Sequence, residues 1–240
     1  MLNEASVREK LAVACRILAM EGLVDEILGH VSVRIPDTNE MLIRCRGPHE
    51  CGVAFTQADA IQRVTLAGEG AEAGYHVPKE LSIHSELYKA RPDVTCVVHA
   101  HPPEALVCGI AELDFRPVFG SFNIPAMRLA LEGIPVFEHS YLVTRPDLAK
   151  PFVEAMGDKD VCVMRGHGIT VTGRSVEDAV VRALNFNTLA KVTLQVAQTG
   201  RQARVITEED IRELPDLGHT FNQEWVWRYY EHKLKRWERA

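Results

Sequence analysis

The pair His99-Ala100-His101 closes an apolar run, Val94-Thr95-Cys96-Val97-Val98, that reads as a strand. On an extended segment residues two apart face the same way, so both imidazoles can reach one metal ion. Taken alone, the pair reads more simply as one core and one surface histidine. His167 adds a third nitrogen: it stands between Gly166 and Gly168, in a turn where the backbone can approach closely and present the ring. Three protein ligands with an open fourth position is the arrangement of a catalytic metal. Glu80 is available as an acid/base or as a ligand displaced by substrate. His84, one helical turn later, can orient that carboxylate or touch substrate. Cys96, three residues before His99, faces the other side of the strand and reads as core, while His139 and His219 read as surface or packing residues.

The positioning elements follow from periodicity. Val7, Leu11, Ala14 and Leu18 predict a first helix ending at Gly22. Val31–Ile35 and Met41–Cys45, joined by the polar turn Pro36-Asp37-Thr38-Asn39, predict an antiparallel hairpin. A second helix is expected from Pro78 to about Ala90, with Ile83 and Leu87 inward and Glu80, His84 and Tyr88 along a neighbouring face. The strand Val94–His99, a helix from Pro103 to Gly109, and strands at 161–164 and 169–172 follow. Ser175 and Asp178 then form a capping box that opens a long helix to about Thr199. The class is α/β, one domain over 1–240, with 207–240 a helical tail whose aromatics suit a subunit boundary.

Composition narrows the function. The 240 residues carry 27 Lys+Arg against 33 Asp+Glu, a net charge of −6, which argues against a nucleic-acid partner. No apolar run approaches the ~20 residues that cross a bilayer, and Met1-Leu2-Asn3-Glu4 has neither a basic nor an apolar leader region, so no membrane partner and a cytoplasmic location are expected. Six cysteines without a Cys-x-x-Cys pair read as reduced thiols, mostly buried.

Together Gly29-His30-Val31-Ser32-Val33-Arg34, Glu80 with His84 and Tyr88, Arg91-Pro92-Asp93-Val94, Val97-Val98-His99-Ala100-His101-Pro102 and Arg165-Gly166-His167-Gly168 resemble the class II aldolase/adducin family, to about residue 200. That family includes sugar-phosphate aldolases, an epimerase and some decarboxylases. The resemblance implies a three-layer α/β/α fold with a mixed, largely antiparallel sheet. It also implies a divalent metal on His99, His101 and His167, Glu80 as acid/base, and a homotetramer with sites at subunit boundaries. Zn²⁺ or Mn²⁺ suits such ligands best, with Fe²⁺ and Co²⁺ accommodated. Adducin heads share the fold as scaffolds without the ligands, all of which are kept here.

The phosphate-binding pattern of the aldolases is not kept. Where they resemble this chain they carry an Asn, a Thr-Gly pair and a Ser-Ser pair. Here those positions read His30, Arg46-Gly47 and Pro78-Lys79. A planar Arg46 fork, with Lys79 and His30 adding charge, suits a carboxylate better than a tetrahedral phosphate. The chain therefore looks most like the metal-dependent aromatic carboxylate decarboxylases, exemplified by enzymes acting on 3-hydroxy-2-methylpyridine-4,5-dicarboxylate. The expected function is a metal-dependent lyase that decarboxylates a hydroxylated aromatic or pyridine (di)carboxylate. The alternative is a class II aldolase or epimerase acting on a sugar phosphate or hydroxycarbonyl compound by retro-aldol cleavage. Arg212, Arg228, Tyr229 and Tyr230 are the tail residues that could complete a neighbouring subunit's site.

Overall fold

A computed structural model describes residues 3–239; Met1 and Leu2, on which part of the leader reading falls, and Ala240 lie outside the described residues. The first helix, α1 (Glu4–Met20), is capped by Asn3, whose side chain accepts the Ser6 amide, and ends at Glu21 before Gly22 turns the chain with φ 73°. The hairpin forms as expected, shifted by one residue: β1 (His30–Arg34) pairs antiparallel with β2 (Glu40–Arg44), Ser32 opposite Ile43. Two 3₁₀ turns lead into β3 (Ile61–Thr65), a strand the sequence reading did not foresee.

The helix expected from Pro78 begins later, as α2 (Leu81–Ala90). The Pro78 carbonyl accepts the Leu81 amide at 3.1 Å in a turn, which leaves Glu80 at the cap position. The Glu80 carboxylate makes no cap bond to its own helix. It is drawn instead to the Val143 amide, 3.0 Å away.

Then come β4 (Cys96–Ala100), α3 (Pro103–Ile110), α4 (Ile124–Glu132), the two-residue β5 (Val136–Phe137) and α5 (Pro146–Met156). A hairpin of β6 (Val161–Met164) and β7 (Gly168–Gly173) leads into the long α6 (Val176–Gln198). Ser175 accepts the Asp178 amide, but Asp178 reaches back to the Arg174 amide, so the expected capping box is only half made. The tail supplies α7 (Glu208–Glu213), a π-helical turn (Thr220–Trp225) and α8 (Val226–Trp237).

The sheet order is β3-β2-β1-β4-β7-β6-β5, antiparallel throughout except for the β5/β6 pair. Alternation sends Val31, Val33, Cys96, Val98, Ile169 and Val171 to one face, against α1, α3 and α6. Met41, Ile43, Val97, Cys162 and Met164 go to the other, against Ile83 and Leu87 of α2 and Phe152 of α5. Helices thus cover both faces of a mixed sheet. Burying each such aliphatic side chain contributes about 1.5–3 kcal/mol, so the two covered faces fix the strands that carry the histidines. All six cysteines are free thiols and five are buried. The tail helix α8 lies along α1: Glu238 pairs with Arg16 at 2.9 Å and Lys233 with Glu21 at 2.6 Å, while Trp227 and Leu234 are buried. Trp225, Tyr229 and Trp237 face outward. Among the described residues no helix is long and apolar enough to cross a membrane.

Candidate metal centre

Central β4 places His99, and His101 just beyond its last residue, at the end of the sheet where β1 begins and β7 begins. His99 lies opposite His30 on one side and opposite Thr170 on the other. The β6–β7 turn swings His167 over the same end. Gly168 permits this: a Cβ there would stand 2.3 Å from the Ala100 carbonyl and 2.7 Å from the His101 ring. Glu80 comes from the start of α2. One donor atom from each of Glu80, His99, His101 and His167 lies within 4.8 Å of the others.

The orientation of each donor has a cause. His99 Nδ1 lies 3.3 Å from the Thr170 hydroxyl, which donates onward to Met164 Sδ at 3.4 Å. Thr170 is thereby placed to accept from His99 Nδ1–H, the tautomer in which Nε2 offers its lone pair to the centre. Nε2 of His101 is 2.9 Å from Nε2 of His99. Glu80 Oε2 stands 3.5 Å from His99 Nε2 and 3.4 Å from His167 Nε2. Its Oε1 is held by the Val143 amide at 3.0 Å. Among the described residues His167 Nδ1 is buried without a partner.

Burial, reinforced by the neighbouring rings His99 and His167, lowers His101 to about 3. Burial likewise lowers His99, against the opposing pull of Glu80. Both are neutral near pH 7, as metal ligands must be. Burial would raise Glu80, but hydrogen bonding led by His167 outweighs it and holds the carboxyl well below its usual range. Three imidazole nitrogens converging on one carboxylate, with Thr170 placed to fix one ring tautomer, form a donor set that fits a divalent cation.

The structure brings two further residues to this cluster. The His30 ring stacks on His99 at 5.1 Å, and His84 touches His30 at 2.6 Å from behind. Arg46, Gly47 and Lys79 make no hydrogen bond to it among the described residues. Arg46 donates to the Ile27 carbonyl at 3.2 Å, and its backbone bridges His76. Gly47 packs against Tyr75, and Lys79 is exposed beside Glu80. Cys96 packs among the α1-side core, His139 stacks on Tyr141, and exposed His219 pairs with Glu224 at 3.4 Å. The roles of Thr170 and Val143 were not legible. Nothing local marks either residue, since both act through strand and loop pairing.

Residues 9–194 match the family described as the Class II Aldolase and Adducin N-terminal domain. The chain belongs to that family. It is 47% identical over 240 residues to the 3,4-dihydroxyphthalate decarboxylase of Arthrobacter keyseri, covering 98% of this chain and 95% of that one. It is 40% identical to the protein of the same name from Rhodococcus jostii (strain RHA1), covering 95% and 97%. Among solved structures it resembles the L-fuculose 1-phosphate aldolase from Glaciozyma antarctica PI12, with a TM-score of 0.78 at 19% identity, over 98% of this chain and 90% of that one. The last likeness bears on fold alone and agrees with three layers around a mixed sheet. With decarboxylases related at this level over nearly its whole length, the family member is a metal-dependent carbon–carbon lyase of the carboxy-lyase kind.

Proposed function

We propose that the protein decarboxylates a dihydroxylated aromatic dicarboxylate of the 3,4-dihydroxyphthalate type, with a divalent ion held by His99, His101 and His167. The supporting observation is the convergence of Glu80 and these three rings in a chain whose relatives at 40–47% identity bear that activity in their names. Zn²⁺ or Mn²⁺ suits this donor set, and Fe²⁺ or Co²⁺ is accommodated once substrate oxygens join it. When bound, such an ion supplies a Lewis acid for the electron pair released as the bond between ring and carboxylate breaks.

The remaining work falls to side chains. With Oε1 anchored on Val143, Glu80 presents Oε2 to the reacting carbon. It delivers the replacing proton there directly, or through a water it orients, as CO₂ leaves. Burial favours the protonated carboxyl that the step requires, opposed by the hydrogen bonding of His167. His30 contacts substrate beside the cluster with His84 behind it. Arg46, Gly47 and Lys79 bring positive charge and close backbone to the rim, drawing in a carboxylated substrate.

The test is CO₂ release from 3,4-dihydroxyphthalate by metal-reconstituted protein, with ketose phosphates assayed beside it. Release is expected, and it should fall about 10²-fold or more in Glu80→Gln protein that still binds metal. Cleavage of a ketose phosphate without CO₂ would replace this reading with an aldolase. We further propose a homotetramer in which the outward aromatics of the π-helical turn and α8 meet a neighbour. Light scattering on the intact chain and on Trp225→Ala/Tyr229→Ala protein tests it, and an unchanged mass would rule that contact out.

A further inference from the structure

A chain of short contacts runs from the cluster into the protein between β1 and α2. His30 Nδ1 lies 2.6 Å from His84 Nε2, His84 Nδ1 lies 2.7 Å from Ser32 Oγ, and Ser32 Oγ lies 2.7 Å from the Tyr88 hydroxyl. All four side chains are buried. Each link needs one proton between its two atoms, and a neutral His84 carries only one N–H. Two orderings satisfy these conditions, and they run in opposite directions.

The far end decides between them. If protons pointed away from His30, Ser32 would donate to Tyr88, and Tyr88 would need an acceptor of its own. The acceptor available is the Thr95 carbonyl at 3.4 Å, much farther than the 2.7 Å to Ser32 Oγ, and a phenol gives its proton to an alcohol oxygen more readily than the reverse. The Arg34 guanidinium also lies 4.9 Å over the Tyr88 ring, which makes the phenol a better donor. Tyr88 therefore donates to Ser32, Ser32 to His84 Nδ1, and His84 Nε2–H to His30 Nδ1. His30 is left with its proton on Nε2, an atom with no protein partner among the described residues and not sealed from solvent, on a ring stacked against His99.

We infer that Ser32, acting through His84, is a positioning residue that holds His30 as a fixed N–H donor to the substrate carboxylate that stays on the ring. The substrate part of this inference rests on the function proposed above. A donor aimed at the departing carboxylate would weaken as that group loses charge, favouring the ground state over the transition state. A donor to the retained carboxylate binds both states alike and secures which of the two carboxylates departs.

The tautomer is read from ¹⁵N spectra of histidine-labelled, Zn²⁺-loaded protein, with His30 assigned by its loss in His30→Asn. Wild type should show a protonated Nε2 and a lone-pair Nδ1 at His30. Tyr88→Phe, in which Ser32 still gives its proton to His84, should keep that pattern. Ser32→Ala should give a mixture, and Ser32→Thr should restore it. In kinetics, Ser32→Ala with full metal content should raise KM for the dicarboxylate about tenfold and leave kcat within about twofold. KM for the analogue lacking the retained carboxylate should not move. A proton on His30 Nδ1 in wild type would overturn the ordering. Loss of kcat and metal at unchanged KM would overturn the donor role. Expected spectra without CO₂ release would support the proton ordering but overturn the functional reading and the substrate contact with it.

Discussion

Thr170 commits the single proton of the His99 ring, and that commitment is worth measuring. In Thr170→Val the shape is nearly kept but the acceptor for His99 Nδ1–H at 3.3 Å is gone, so the ring can place its proton on the nitrogen that should face the ion. Metal affinity is expected to fall about tenfold or more with the fold intact, as judged by chelator competition. The contrast with the histidines themselves shows what residue-scale reading can find. His99 and His101 were visible because a two-residue spacing on a strand is a local fact, and His167 because of its flanking glycines. Thr170, Val143 and Ser32 gained their roles only from the pairing of segments distant in sequence. Arg46 shows the reverse, since its charge was readable but its bond to the Ile27 carbonyl was not.

At the scale of elements, hairpins and long helices were legible because their periodicity and turns are continuous. The start of α2 was not, because Glu80 is held by an amide 63 residues away rather than by its own helix. The two-residue β5 is too short for any alternation to register, and α4 and α5 were passed over although Asn123 caps α4 and Pro125 and Pro146 sit in first turns. The opening of β7 depends on one position. In Gly168→Ala the new methyl would meet the Ala100 carbonyl at 2.3 Å, and backbone cannot yield as a side chain end can. We expect a loss of about 1–3 kcal/mol in urea melts. Bound metal should fall further than stability alone explains, because the displaced neighbour is the His101 ring. A variant that melts like wild type and binds metal fully would refute the close approach.

Across the whole molecule, buried neutral rings make stability depend on pH. Burial, followed by repulsion from His99, lowers His84 to about 3 from 6.5. Between those values the unfolded chain binds a proton that the native chain refuses, so stability falls as pH drops. At pH 5 this ring alone costs roughly 2 kcal/mol, at 1.36 kcal/mol per unit. Urea midpoints of metal-free protein should decline between pH 7 and pH 5, and His84→Asn should flatten the slope. An equal slope in the variant would show that other groups dominate. No sheet order beyond the first hairpin was legible from periodicity, yet that order assembles the centre, and it bears on how the chain folds. His99 and Thr170 lie 71 residues apart, and His30 and His84 lie 54 apart. Such contacts exist only after the slow, non-local pairing of β1, β4 and β7. An ion therefore arrives too late to nucleate folding and acts on escape from the finished state. In stopped-flow experiments Zn²⁺ should slow unfolding in proportion to its binding and leave the refolding limb unchanged. Faster refolding with Zn²⁺ would mean that the three rings meet before the strands do.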